Sequence, residues 1–129
     1  LGDDAWAARL LASLRADGVR VHAARHAGTS GRLAALIDER GERSFVTERG
    51  VADALQPNDV SGAWLRDADL LHVPAYSLFA EPIGATAVHA AGLAREQGAL
   101  VSVDTSSARV RSAYAARLAN HYGALRQTL

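Results

Sequence analysis

The sequence contains no cysteine, no methionine and, among its 14 basic residues, no lysine. Without cysteine, the protein forms no disulfide bonds and has no thiolate chemistry, which excludes stapled secreted scaffolds and cysteine enzymes. Without lysine, a phosphate-binding loop of the G-x-x-x-x-G-K-[ST] type is impossible, and G-x-G-x-x-G and G-x-S-x-G are absent too. These absences count against P-loop enzymes, dinucleotide-binding dehydrogenases and serine hydrolases of the usual pattern.

An excess of charge of either sign is also missing, since 14 acidic groups balance the 14 arginines. The interspersed charges provide no broad basic field, so we expect no nucleic-acid partner and no membrane partner. No apolar run approaches the roughly 18 residues that a membrane span needs. The first residues do not resemble a signal peptide, and we therefore expect a cytoplasmic protein.

The length of 129 residues suits one domain, because folded domains typically contain about 100 to 200 residues. A chain of this size buries roughly two thirds of its unfolded surface, which is enough for a core without disulfides. The chain begins with Leu1 instead of methionine. We therefore expect a processed product or a piece of a longer protein.

The first segment is predicted to be a helix that Asp3 or Asp4 caps and Gly18 ends. Residues 19–22 then alternate apolar and polar side chains, which predicts a half-buried strand. The apolar stripe of the helix consists of Trp6, Leu10 and Leu14.

A β-hairpin is predicted next, with strands at residues 32–37 and 42–47 and a turn at residues 38–41. The returning strand alternates in polarity, so one face of the hairpin is expected to contact solvent.

From about Pro57 the pattern changes to strands that alternate with helices, which is typical of a parallel sheet with helical crossovers. We expect a short helix over residues 57–64, buried strands at 70–73 and 99–103, and a last helix over 110–122. Pro82 opens the helix between the two strands, and Gly98 ends it. Its predicted inner stripe consists of Ile83, Ala87, Ala91 and Ala94. The fold class predicted by these elements is α/β.

Ligands of open α/β sheets bind at the carboxyl ends of the strands, which here lead into residues 74–77 and 104–107. Asp104 could hold a substrate hydroxyl or a cation there, or it could simply cap the next helix. Tyr76 could stack on a ligand or pack, partly buried, at the strand end.

The histidines do not indicate a metal site. His22 and His26 would form a ligand pair only on a helix, but we place them on a strand and in a loop, with no third ligand evident. His72 lies in an apolar strand and is expected to be a buried, hydrogen-bonded residue.

Short motifs follow one another in a definite order between residue 1 and about residue 107. They lie at residues 1–4, 18–19, 29–32, 38–45, 49–52, 55–60, 68–73 and 101–104. In this order they resemble the middle of the PfkB/ribokinase family of carbohydrate kinases. Leu1-Gly2-Asp3-Asp4 is similar to the family's V-G-x-D entry to a helix, and residues 38–43 are similar to its D-x-x-G-E-R hairpin.

The resemblance implies a partial Rossmann-like ribokinase fold, with a small β-hairpin lid over about residues 19–50 and a βαβ core over about 57–122. It also implies a parent protein that uses ATP and Mg²⁺ to phosphorylate a hydroxyl of a sugar or nucleoside. The family's glycine-rich sugar-binding segment and its G-A-G-D segment, which carries the catalytic base, have no counterpart in the chain. We therefore expect no catalytic residue and no metal ligand here, and no activity from the chain alone.

By the same resemblance, some residues of this chain would lie on the substrate side of the kinase site. Because lysine is absent, any phosphate contact in this portion would fall to arginine, and Arg49 is the first candidate. The substrate-binding residues implied are Thr29, Gly31, Arg49, Gly50 and Asp104.

Two other functions remain open at this point. The chain could be a non-catalytic binding or dimerisation module of ribokinase-like fold, with a homodimer formed through the lid and the exposed strand at residues 43–47. It could also be a small flavodoxin-like regulatory or nucleotide-binding domain. That fold needs about five parallel strands, whereas the sequence predicts only two with clarity.

Overall fold

The computed structural model describes residues 1–104, which fall into two compact units. The first unit is Leu1–Ala54, and the second is the described part of Leu55–Leu129. The predicted lid segment, residues 19–50, lies within the first unit. The described part of the predicted core lies within the second unit, and the helix predicted over 110–122 lies outside the described residues.

The first unit begins with helix α1 (Ala5–Ala16), and the sequence explains both of its ends. Asp4 is the N-cap, because its carboxylate accepts a hydrogen bond from the Ala7 amide at 2.9 Å. After the C-cap at Asp17, Gly18 has a φ of 79°, the left-handed conformation that commonly ends helices. The predicted helix is thus confirmed. Its apolar stripe is not buried, since Ala7 is the buried residue of α1.

The strand predicted at residues 19–22 is wrong, since this segment has no regular structure. The Val19 amide instead continues the end of α1 by donating to the Leu14 carbonyl at 2.9 Å. Further along, the chain contacts Leu1, whose backbone nitrogen donates to the Ala24 carbonyl and whose carbonyl accepts from the His26 amide. Alternating polarity does not produce a strand where no neighbouring strand supplies ladder hydrogen bonds.

The predicted hairpin is confirmed, with β1 (Arg32–Ile37) antiparallel to β2 (Arg43–Glu48). Its turn is organised by Asp38, whose Oδ1 accepts from the amides of Arg40 and Glu42, both at 2.9 Å. This is how an aspartate side chain stabilises a turn. Both faces of the hairpin carry exposed apolar side chains, and neither is covered within the first unit. These side chains are Leu33, Leu36, Ile37, Phe45 and Val46.

The second unit contains a parallel βαβ arrangement, as the sequence predicts. Strand β3 (Leu70–Pro74) pairs with β4 (Leu100–Asp104) through the crossover helix α2 (Ile83–Glu96). The helix predicted over 57–64 is instead two short 3₁₀ helices, Pro57–Asp59 and Gly62–Trp64. Val60 and Ser61 separate them, and Ser61 caps the second through its hydroxyl, which accepts from the Ala63 amide.

The core of the second unit is built from small residues, which allow α2 to lie close to the strands. Of the predicted helix stripe, Ala91 and Ala94 are buried, whereas Ile83 and Ala87 are only half-buried. The strands are less buried than expected, since Val73 is buried but Leu100 is 72% exposed. A two-stranded sheet leaves most strand residues with an open edge or face. Within residues 1–104 the parallel sheet has two strands, so a flavodoxin-like domain gains no support.

Among residues 1–104, no helix is both long enough and apolar enough to cross a membrane.

Candidate functional site

Four of the five predicted substrate-binding residues come together in the first unit, at the foot of the hairpin. Thr29 and Gly31 precede β1, and Arg49 and Gly50 follow β2. The two segments are joined by a hydrogen bond from the Val51 amide to the Thr29 carbonyl at 2.9 Å. We call residues 29–31 and 49–51 the hairpin base.

Both glycines of the hairpin base are required by close backbone contacts. Gly50 has a φ of 51°, and a Cβ atom there would collide with the carbonyl oxygen of Thr29. A Cβ on Gly31 would lie 2.8 Å from the carbonyl oxygen of Arg49, which is also too close. Only glycine combines this conformation with such an approach. The two segments are therefore packed backbone against backbone.

Arg49 is fixed beside the hairpin base by a bidentate ion pair. Its Nε and Nη2 atoms donate to the two carboxylate oxygens of Asp53, the residue four positions later. The hydrogen bonds to the guanidinium lower the pKa of Asp53, and the hydrogen bond with Asp53 raises the pKa of Arg49. Planar bidentate pairing restricts the arginine head group to one orientation. The remaining N–H groups of Arg49, whose side chain is half exposed, can then donate to a further oxygen acceptor.

Asp4 joins the start of α1 to the hairpin base. Its carboxylate accepts from the amide and the hydroxyl of Ser30, each at 2.8 Å, in addition to the Ala7 amide. The backbone hydrogen bonds from Ala7 and Ser30 lower the pKa of Asp4 from 3.8 to about 2. The carboxylate is therefore ionised at neutral pH.

Sequence reasoning missed Asp53, and it included Ser30 in the stretch 29–31 without its link to Asp4. Asp53 had a usable signal, because acidic and basic residues four apart are frequent partners, although the segment here is not a helix. Ser30 had none, because its partner Asp4 lies 26 residues away in sequence.

The second unit holds the fifth predicted residue, Asp104, at the carboxyl end of β4. It lies opposite Pro74, the last residue of β3. Any helix that Asp104 caps begins outside the described residues, so both roles expected of it stay predictions. Tyr76 follows β3 in the 3₁₀ helix Ala75–Leu78 and is 49% exposed. Its ring contacts Phe79 edge to face, with the centroids 6.3 Å apart, and its role in ligand binding stays a prediction.

A cavity of about 150 Å³ lies between β3 and α2, but its chemistry is mostly apolar. Thr86 lines it, and the Thr86 hydroxyl is already donated to the Leu55 carbonyl at 2.7 Å, with the Pro82 carbonyl at 3.1 Å. His72 also lines it and is exposed, so its predicted burial is wrong. Its predicted hydrogen bond is confirmed, because Nδ1 lies 2.9 Å from the Ser102 hydroxyl.

No group of three histidine, aspartate or glutamate side chains is placed to hold a metal ion in residues 1–104. His22 and His26 both lie in segments without regular structure.

Comparison with known proteins identifies related kinases. The sequence profile described as pfkB family carbohydrate kinase matches residues 1–123. No curated protein matches the sequence.

Solved structures with a similar fold include three whose descriptions name kinases. Adenosine kinase from Sinorhizobium meliloti is 24% identical with a TM-score of 0.82, over 93% of this chain and 37% of that one. Fructokinase from Xylella fastidiosa with bound ATP is 21% identical with a TM-score of 0.76, over 96% of this chain and 40% of that one. An E. coli protein provisionally assigned as ribokinase II is 19% identical with a TM-score of 0.80, over 99% of this chain and 41% of that one. The chain thus spans about two fifths of the length of these structures, and the fold is ribokinase-like.

Proposed function

Because the chain belongs to the pfkB family of carbohydrate kinases, we propose that it is the lid and substrate-binding portion of an ATP-dependent kinase. The acceptor would be a hydroxyl group of a sugar or nucleoside. The expectation that the catalytic base lies outside this sequence is part of the proposal.

The observation that carries this proposal is the hairpin base. It brings four residues implied by the family resemblance, Thr29, Gly31, Arg49 and Gly50, to the point from which the two strands of the hairpin extend. A substrate held at this point would lie beneath a two-stranded lid, and closure of such a lid excludes water from phosphoryl transfer. Arg49 offers oriented N–H donors for hydroxyl or phosphate oxygens.

Phosphoryl transfer requires positioning of the acceptor, neutralisation of the phosphate charge and a base for the hydroxyl. Residues of this chain would supply the first of these. Nucleotide use is supported by the fold shared with a fructokinase that binds ATP. Residues 1–104 contain no cluster of ligands that fits Mg²⁺, and we derive no step through the metal from them.

The experiment uses the full-length product of the gene that contains this sequence, assayed with ATP, Mg²⁺ and a panel of sugars and nucleosides. We expect phosphorylation of at least one of them and, from residues 1–129 alone, no turnover above a heat-killed control. Arg49→Ala should raise the KM for the acceptor about tenfold, as expected when one hydrogen bond from a charged group is lost. Arg40→Ala, at the exposed hairpin turn, is the matched control and should not change it.

Absence of phosphorylation by the full-length protein would contradict the proposed function. An equal KM for the two arginine variants would contradict the role of Arg49 alone. Turnover by the 129-residue chain would contradict the expectation that the catalytic base lies elsewhere.

A second candidate function is dimerisation through the lid, favoured by the apolar side chains on both faces of the hairpin. Phe45 and Val46 lie on opposite faces of β2 and are both more than half exposed. Light scattering at high concentration should show a dimer that Phe45→Ser weakens and Glu39→Gln does not. A monomer at every concentration would argue against it.

The remaining expectations about partners and location stay predictions from sequence. They are a cytoplasmic location and the lack of nucleic-acid and membrane partners.

A further inference from the structure

We propose that Asp4 is a positioning residue that holds the hairpin base in its substrate-binding arrangement through Ser30. This inference rests on the proposed function, because it assigns to Asp4 an effect on the acceptor site of the same kinase. It assigns no contact between Asp4 and the substrate.

The hydrogen bonds of Asp4 divide between two parts of the first unit. Oδ1 accepts from the Ala7 amide at 2.9 Å and from the Ser30 hydroxyl at 2.8 Å, and Oδ2 accepts from the Ser30 amide at 2.8 Å. One carboxylate therefore caps α1 and at the same time fixes a residue of the hairpin base. A neutral cap residue could cap α1, but it has one acceptor oxygen fewer with which to bind Ser30.

Ser30 is occupied by these contacts, although it lies between two predicted substrate-binding residues. It is only 5% exposed, and its hydroxyl donates to Asp4 while accepting from the Gly2 amide at 3.1 Å. Its amide is used by Asp4 as well. No polar group of the Ser30 side chain is left to bind a ligand, so its role is to hold the backbone on either side of it.

A displacement of Ser30 would also displace both segments of the hairpin base. On one side, the Thr29 carbonyl accepts from the Val51 amide and touches Gly50. On the other side, Gly31 packs against the carbonyl of Arg49. Because the packing is backbone against backbone, no flexible side chain can absorb the movement. Loss of the Asp4 contacts should therefore misplace the residues that are proposed to bind the acceptor.

The neighbouring acid, Asp3, provides a matched control. It too bonds to the segment before the hairpin, since its carboxylate accepts from the Gly28 amide at 3.1 Å, but this contact is exposed. The single oxygen of an asparagine can replace that acceptor. In Asp4→Asn, by contrast, the amide NH₂ group would face either the Ser30 amide or the Ala7 amide, both donors, while asparagine remains a good helix cap.

The test compares Asp4→Asn, Ser30→Ala and Asp3→Asn in the full-length protein. We expect Asp4→Asn and Ser30→Ala to raise the KM for the acceptor about tenfold, as for loss of a hydrogen bond to a charged group. The KM for ATP should stay within about twofold, and Asp3→Asn should behave as the wild type. Hydrogen exchange should show faster exchange at the Ser30 amide in Asp4→Asn than in Asp3→Asn. This measurement does not depend on activity.

Each result separates this inference from the proposed function. If the wild type phosphorylates no acceptor, the proposed function falls and this inference falls with it. If the wild type is active but Asp4→Asn has the acceptor KM of Asp3→Asn, only this inference is overturned. The same holds if Asp4→Asn lowers thermal stability without raising the acceptor KM, because Asp4 would then be only a helix cap.

Discussion

Replacement of Gly50 by alanine should strongly destabilise the first unit. The φ of Gly50 is 51°, and an L-residue in this left-handed conformation incurs a conformational cost of about 1–2 kcal/mol. In addition, the new Cβ would collide with the Thr29 carbonyl oxygen, and this carbonyl accepts the Val51 amide hydrogen bond. Loss of that bond costs about 1 kcal/mol. Together these effects lower the free energy of unfolding by about 2–3 kcal/mol. This is a large share of the total free energy of unfolding of a folded protein, which is typically about 5–15 kcal/mol.

The control for this prediction is Gly41→Ala, at the hairpin turn. Gly41 also has a positive φ, 78°, but no atom lies within 4 Å of the Cβ that alanine would add. It should therefore incur only the conformational cost, about 1–2 kcal/mol. The difference between the two variants isolates the contact between Gly50 and Thr29.

The assay is urea denaturation followed by the fluorescence of Trp6, with all variants made in a Trp64→Phe background so that only the first unit contributes. The reasoning predicts a lower urea midpoint for Gly50→Ala than for Gly41→Ala. Equal midpoints would refute it, because they would show that the hairpin base tolerates a Cβ atom at Gly50.

Three further predictions concern stability. Thr86→Val should lower the free energy of unfolding of the second unit by about 1–2 kcal/mol, because the single hydroxyl proton that Thr86 donates to the Leu55 carbonyl, with the Pro82 carbonyl also in reach, is lost. Urea denaturation should show no such loss for Thr47→Val, which lies on an exposed strand. Acidification from about pH 5 to about pH 2.5 should destabilise the first unit. Folding lowers the pKa of Asp4 from 3.8 to about 2, so ionised Asp4 contributes to the free energy of unfolding in full above pH 3.8, and this contribution is lost as the pH falls toward 2. The fall in urea midpoint should be smaller in Asp4→Asn. Asp38→Ala should cost about 1 kcal/mol through the two amide hydrogen bonds of the turn, and Glu39→Ala in the same turn should leave thermal unfolding unchanged.

Local features of the structure could be predicted because their causes lie within a few residues of sequence. Asp4 caps the helix that begins at the next residue, and Asp38 bonds to amides two and four positions later. Pro82 and Gly98 bracket α2 for the same reason. Such interactions depend on short-range backbone geometry, which the sequence pattern describes directly.

The features that could not be predicted depend on distant partners. Among residues 1–104, the segment 19–22 has the alternation of a strand but no neighbouring strand, and β3 and β4 have apolar sequences but few neighbours to bury them. Within the site, the family resemblance implies ligand contact for the glycines at positions 31 and 50, and this stays a prediction; the steric requirement for glycine at each position is visible only in the folded chain. The link between Asp4 and Ser30 requires the folded chain and leaves no trace in local pattern.

The apolar side chains on both faces of the hairpin also affect how its two strands are aligned. In most sheets a slip of one residue is prevented because it would move the buried side chains to the solvent side. Here the two faces are similar, with Leu33 and Phe45 on one and Leu36 and Val46 on the other. Burial therefore discriminates poorly between the native pairing and a slipped one. Alignment is instead favoured at the two ends of the hairpin, by Asp38 in the turn and by the glycine contacts of the hairpin base, so these residues help to determine which side chains each face of the hairpin presents.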